Sequence, residues 1–354
     1  RLRTDLEVAH KSVVLFLNAQ MKEAEELCAQ GADRRLYRSA GMTLINTLKA
    51  MMTFEPNDMQ VASKCAAYSA GIAKVLRKRP AGLSRLVNTR IPPLSAMTLL
   101  QRHAELVYGQ SVLCKALLGI VYAGDSVAVI RQTVYLRAAY QTFSQMLRMI
   151  ERADSGAEAK ASVDPDLRSG VYMGYGCCTL ILSLFPRRLL KVMEGLGFSS
   201  DRRLALDLFA HAGGWTAAQS QPQVSATDEG MCRPLCDVLI LAYHLVIASE
   251  VSVTDVDFEF AEKVLAWNLR RFPEGTFFLY FKAQMYARQA LPEKAIKYYR
   301  SAVESQSAYK QLHHLCFFSL SLTHLVTCDY DRAYECFEVL SRESNWSKAV
   351  YQLS

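Results

Sequence analysis

The chain has 354 residues, half of them apolar and about a fifth charged, with 41 Lys and Arg against 34 Asp and Glu, a net charge of +7. That much apolar surface excludes a largely disordered chain and removes any need for metal or disulfide staples. A surplus this small does not by itself indicate nucleic-acid binding. The ten cysteines include Cys28, Cys65, Cys114, Cys316 and Cys336 inside apolar periodic stretches, which predicts buried thiols in a reducing, intracellular setting. The sequence opens on Arg1 and both ends read as trimmed, so a targeting signal is not legible.

Every long segment has helical period and none alternates as a strand would. Near the start, Ser12, Ala24 and Cys28 stand 12 and 4 residues apart, the spacing of a helix-turn-helix repeat. From Met59 to Ala104 there are eight basic residues and no Asp or Glu. The dense part ends a helix and enters a loop, and basic residues at a helix C-terminus complement its dipole. The functional alternative is docking on an anionic lipid or acidic surface through Arg77, Lys78, Arg79 and Arg85. No aromatic residue lies between Lys74 and Arg90, which argues against single-stranded nucleic acid.

Two helical stretches of more than twenty residues follow, Ser95 to Ala123 and Val127 to Glu151, with a turn at 123–126 and Ser126 as N-cap. They predict a long αα-hairpin. Glu105 reads as one half of a buried pair, with an arginine such as Arg137 on the neighbouring helix as the other. Residues 153–166 are small, polar and unpatterned. They divide the chain into an N-terminal helical region, 1–151, a linker, 152–165, and C-terminal repeats, 166–354.

Gly170, Gly174 and Gly176 lack the strand before and the Gly-Lys-Ser/Thr after that a phosphate loop needs, so they predict close helix packing. Neither Val171–Pro186 nor Leu235–Val251 reads as a membrane span, since arginines end the first and Asp237 and His244 interrupt the second. Asp201 opens a helix as an N-cap, and residues 213–230 read as a mobile loop. Most prolines fall between helical stretches, where they cost little.

Three alanines then recur, Ala261, Ala295 and Ala333, separated by 34 and 38 residues. Each has a small residue twelve before it (Ser249, Ala283, Ser321) and a bulky one four after it (Leu265, Tyr299, Phe337). Small residues let paired helices approach, and the bulky one fills the gap to the next pair. The period is that of tetratricopeptide repeats. Together these features predict an all-α, right-handed superhelix of tetratricopeptide-like helical hairpins, with two long central helices.

Cys232, Cys236 and His244 supply one short pair where a zinc site needs two, and no nucleophile elbow or embedded acidic pair is present. No catalytic, cofactor or metal site is therefore expected. The first helix of each hairpin usually lines the groove in such repeats, so Tyr280, Gln284, Phe318 and His324 are candidate liners, although the same positions suit packing between repeats.

Several ordered segments carry a resemblance: Phe16–Leu27, His103-Ala-Glu105-Leu-Val-Tyr108-Gly109, Gly170-Val-Tyr-Met-Gly174-Tyr-Gly176 running into Leu182–Pro186, Gly197-Phe-Ser-Ser-Asp201-Arg202, and Leu291–Ile296. The chain resembles the tetratricopeptide repeat protein 39 family, which also contains the fungal inclusion body clearance proteins. It departs at Ser200 and Ala205, where that family usually has Gly. The resemblance implies a non-enzymatic helical repeat protein, with some members linked to lipid droplets and clearance of misfolded protein. The expectation is a cytoplasmic scaffold for a protein or peptide partner. The alternative is a peripheral protein on a lipid droplet or organelle membrane.

Overall fold

The structure, a computed structural model, describes residues 2–78, 91–122, 126–156, 162–195, 197–248 and 256–344. Among them are fifteen α-helices and no strand. Helices α1 (Leu2–Leu17) and α2 (Met21–Ala29) form a first hairpin, α3 (Leu36–Thr53) and α4 (Pro56–Leu76) a second. The long pair is α5 (Leu99–Val121) and α6 (Ser126–Asp154), of 23 and 29 residues. Next come α7 (Pro165–Ser183), the short α8 (Arg187–Gly195) and α9 (Arg202–Gly213). Helix α10 (Arg233–Ala242) runs on through a π-helical stretch, Tyr243–Ile247, before α11 (Phe258–Arg271). The last four are α12 (Thr276–Arg288), α13 (Pro292–Glu304), α14 (Lys310–Val326) and α15 (Tyr330–Glu343).

Local chemistry sets these boundaries. Pro56, Pro165 and Pro292 sit in first turns, where a missing N–H costs nothing. Thr98 and Gln101 form a capping box on α5, and Asp164, Asp201, Asp257 and Asp329 cap α7, α9, α11 and α15. Residues 79–90 and 123–125, and the side chain of Ser126, lie outside the described residues, as does Ser249. The residues that carried the repeat spacing are buried: Ala261, Ala283, Ala295, Leu265, Tyr299, Ser321, Ala333 and Phe337. In the first hairpin the Ser12 hydroxyl donates to Ala24 O at 3.2 Å and lies 3.0 Å from Cys28 Sγ.

Most consecutive helices pack on one another, and a second series of contacts runs across them: α3 on α5, α5 on α7, α7 on α10, α10 on α12 and α12 on α14. Helix α14 then returns to touch α3, so this inner row closes on itself. Helix α1 lies against the row. It packs on α3, its His10 Nε2 is 2.7 Å from Asp166 of α7, and Phe16 meets Phe277 of α12 with ring centroids 5.7 Å apart. Hydrophobic clusters join helices from both sides of residues 152–165: one holds Phe143, Val171 and Leu208, another Leu17, Phe209 and Phe278.

Among the described residues one helix, α5, is long and apolar enough to cross a membrane by length and composition. Here it is a core helix, packed on α3, α4, α6 and α7 with His103 and Glu105 buried along it. The glycines of α7 act as the packing reading expects. A Cβ on Gly170 would come within 2.6 Å of Leu106, one on Gly174 within 2.2 Å of Phe143 and one on Gly176 within 2.4 Å of Phe209. Gly109 faces the same Phe143 ring from α5, so two glycines make room for one side chain.

Candidate functional site

The segment His103–Tyr108 puts polar groups deep in the core, each with a partner. The Tyr37 hydroxyl is hydrogen-bonded to His103 Nδ1, and His103 Nε2 lies 3.3 Å from Asp164 Oδ2, which also caps α7. Burial alone would raise the Asp164 carboxyl, but the hydrogen bond and charge of His103 outweigh it and hold the group below its ordinary value. Two residues on, Glu105 is 1% exposed and accepts from Arg77 Nε at 2.7 Å. The Arg77 guanidinium also lies 3.9 Å from the centre of the Tyr108 ring. The expected partner Arg137 is therefore wrong: Arg77, from the end of α4, takes that place.

This also corrects the proposed docking set. Arg77 is committed to a buried carboxylate and an aromatic face, so it is not a free cation for an anionic surface. Lys78 is exposed and donates to Ala96 O. Arg79 and Arg85 lie outside the described residues.

At the other landmark, Gly197 has a positive φ of 85°, and Ser200 is not among the positive-φ residues. The turn's left-handed position is thus filled by glycine, and Ser200 adds no backbone strain. Asp201 accepts from Leu204 N at 2.9 Å as an N-cap, Arg202 reaches Ser183 O, and Ala205 is buried against the core. Ser200, Asp201, Arg202 and Ala205 line neither of the two clefts described below.

The expected groove is corrected too. Tyr280 is 5% exposed and packs against Tyr299, because α12 is apolar nearly all round and has neighbours on several sides. Gln284 donates to the Tyr280 hydroxyl at 2.7 Å and to Ser319 at 3.1 Å, joining α12 to α14 internally. Phe318 packs against the cluster of Phe337 and Leu340. Of the four, His324 borders a cleft of about 320 Å³ between α13, α14 and α15. Val303, Phe317, Leu320 and Val339 give it an apolar lining, and Arg300, Glu304, Arg332 and Glu335 bring both charge signs. Burial lowers the His324 imidazole below its ordinary value despite Asp329 nearby.

Sequence reasoning missed a buried charge cluster. Arg233 is fully buried, 3.3 Å from Glu229 and 3.1 Å from Asp237, with Trp215 and Trp267 beside its guanidinium. Asp237 accepts from Trp215 at 2.8 Å and Asn268 at 2.6 Å, and Arg271 grips Glu229. Burial raises the Asp237 carboxyl in spite of these partners. The cluster also anchors residues 213–230, expected to be a mobile loop, at Trp215 and Glu229. Its signal was present: Glu229, Arg233 and Asp237 recur every fourth residue as an apolar stretch begins.

All ten cysteines are free, with Cys28, Cys178, Cys232, Cys236 and Cys316 buried and Cys328 exposed. Burial pushes the Cys232 thiol up to about 12, far from the thiolate that metal binding needs. Among the described residues no cluster of His, Cys, Asp or Glu is arranged to hold a metal ion.

A family model described as Iml2/Tetratricopeptide repeat protein 39 matches residues 10–354. The chain belongs to this family. A curated relative, tetratricopeptide repeat protein ttc-39B of Caenorhabditis elegans, is 29% identical over 341 residues, 95% of this chain. The chain spans 56% of that relative's length. No solved structure gives a significant match. Family membership and the buried repeat positions agree on an all-α helical repeat protein.

Proposed function

We propose that this member of the family is a non-enzymatic scaffold that holds a protein partner in the cleft between α13, α14 and α15. The inner row of helices is partly covered by α1, so the broad concave groove usual for such repeats is not free here. The terminal cleft is the observation that carries the reading: an apolar floor suits one or two anchoring side chains, and a rim of both signs selects the charges beside them. Proximity labelling in native cells, wild type against Arg300→Glu/Glu335→Arg, tests it. Charge reversal at the rim is expected to remove a defined set of labelled partners while the circular dichroism spectrum is unchanged. An identical set would mean that this cleft is the wrong surface.

A second reading has its own observation. The window from Met59 to Ala104 carries eight basic residues and no acid, and with Arg77 engaged, Lys78, Arg79 and Arg85 form the remaining docking set. The protein would then attach peripherally to an anionic membrane or lipid droplet from the cytoplasm. A role in clearing misfolded protein is drawn from family resemblance alone.

A further inference from the structure

The solvent side of α6 borders a second cleft, of about 570 Å³, which shares no lining residue with the one at α13–α15. Three arginines of α6 line it: Arg137, Arg148 and Arg152. No carboxylate is among its lining residues. Arg137, Arg148 and Arg152 are exposed, and none has an acidic partner among the described residues. Arg148 is aimed along the helix by a 2.9 Å bond to Ser144 Oγ, which occupies only one of its donors.

Exposed arginines on the outer face of a long helix are ordinary. What sets these apart is the wall fastened opposite them. Ile91 N donates to Gln145 Oε1 at 2.9 Å, Ser199 N donates to the Tyr140 hydroxyl at 3.2 Å, and Phe198 meets the Tyr140 ring edge-on with centroids 5.4 Å apart. The Tyr140 oxygen also accepts from Tyr175 at 3.2 Å, which leaves its own proton free to point outward. Along α6, Arg148 and Arg152 stand one turn apart, and Arg137 lies roughly 16 Å from Arg148 at 1.5 Å per residue. Between them the exposed Gln141 offers a neutral amide.

The chemistry is therefore cationic at both ends and neutral hydrogen-bonding in the middle, in a volume typical of small-molecule sites. Paired guanidinium forks match phosphate oxygens two at a time. Amide and hydroxyl groups match the hydroxyls of a polyol. We propose that this cleft binds a small polyol carrying more than one phosphate, either free or as the headgroup of a lipid. Arg148 and Arg152 hold one phosphate, Arg137 another, and Tyr140 and Gln141 the ring between. This site is independent of the partner-binding reading, since neither its residues nor its ligand class is shared.

The test has two arms. In the first, inositol hexakisphosphate is titrated into the full chain by calorimetry and by thermal melting. In the second, the chain is floated with phosphatidylcholine vesicles with and without phosphatidylinositol 4,5-bisphosphate. Binding is expected in at least one arm, and the arm in which it occurs identifies the source of the phosphates. Arg148→Ala/Arg152→Ala should weaken it roughly 10- to 100-fold, the loss expected for charged hydrogen bonds. Arg148→Lys/Arg152→Lys, which keeps the charge but removes the forks, should fall between. Lys22→Ala/Lys297→Ala removes the same charge at exposed sites elsewhere and should bind as wild type does. No binding in either arm, or an equal loss in the lysine control, would overturn the proposal.

Discussion

At the scale of single residues, the ion pair of Arg77 and Glu105 shows how position decides the worth of a charge. Its carboxylate side chain is 2% exposed and the guanidinium side chain 24% exposed. Removing the cation strands a buried anion, and breaking such a pair costs on the order of 3 kcal/mol. Removing the carboxylate charge leaves a cation that reaches water and keeps its aromatic face. Urea unfolding of Arg77→Ala, Glu105→Gln and the double variant should therefore show Arg77→Ala as the more damaging single change. The double variant should recover part of that loss. Equal costs for the two single variants would contradict a burial-driven asymmetry.

At the scale of elements, helix α1 is held to α7 by a titratable contact. Hydrogen bonding to Asp166 raises the His10 imidazole above its ordinary value of about 6.5, outweighing the opposite effect of burial. A raised folded-state value means that the protonated form is the stabilised one. The contribution is complete below about pH 6.5 and is lost as pH rises through the folded value. Thermal melts from about pH 5.5 to about 8.5 should show wild type losing an increment of stability on the alkaline side that His10→Gln lacks. Parallel profiles would remove the pair from the stability of this element.

Element structure was also where the sequence was most readable. Small residues twelve apart, followed by a larger one four further on, are local consequences of two helices touching, so Ala261, Ala295 and Ala333 announced their own burial. Gly170 and Gly174 likewise signalled close approach, although they face different helices, α5 and α6. Pairings between distant segments left no such trace. Arg77 lies 28 residues from Glu105, and only the packing of α4 on α5 selects it over Arg137. Tyr280 was assigned to a groove from repeat convention, but α12 has no polar face to turn outward. The cleft on α6 depends on Ile91 and Phe198 arriving from remote parts of the chain, and spacing along one helix cannot show a wall.

At the scale of the whole molecule, the first hairpin and the last repeats share contacts. Phe16 meets Phe277, the Tyr309 hydroxyl donates to Glu25 at 2.6 Å, and a Cβ on Gly275 would come within 2.5 Å of Leu17 O. Deleting residues 2–29 should thus loosen helices that lie hundreds of residues away. Hydrogen exchange is expected to quicken in α12 and at the start of α14, with α15 little changed because it packs chiefly on α14. Unaltered exchange in α12 would show that the two ends are stable without each other.

The closure of the inner row has a consequence for how the chain is made. Glu25 leaves the ribosome 284 residues ahead of Tyr309. At about 5 to 20 residues per second, the first hairpin waits roughly 15 to 60 s for the surface it will cover. During that interval Phe16 and Leu17 lack their partners around α12, and the end of α1 presents an uncovered apolar face to whatever surrounds it. The speed of translation through the later repeats therefore sets how long that face stays uncovered.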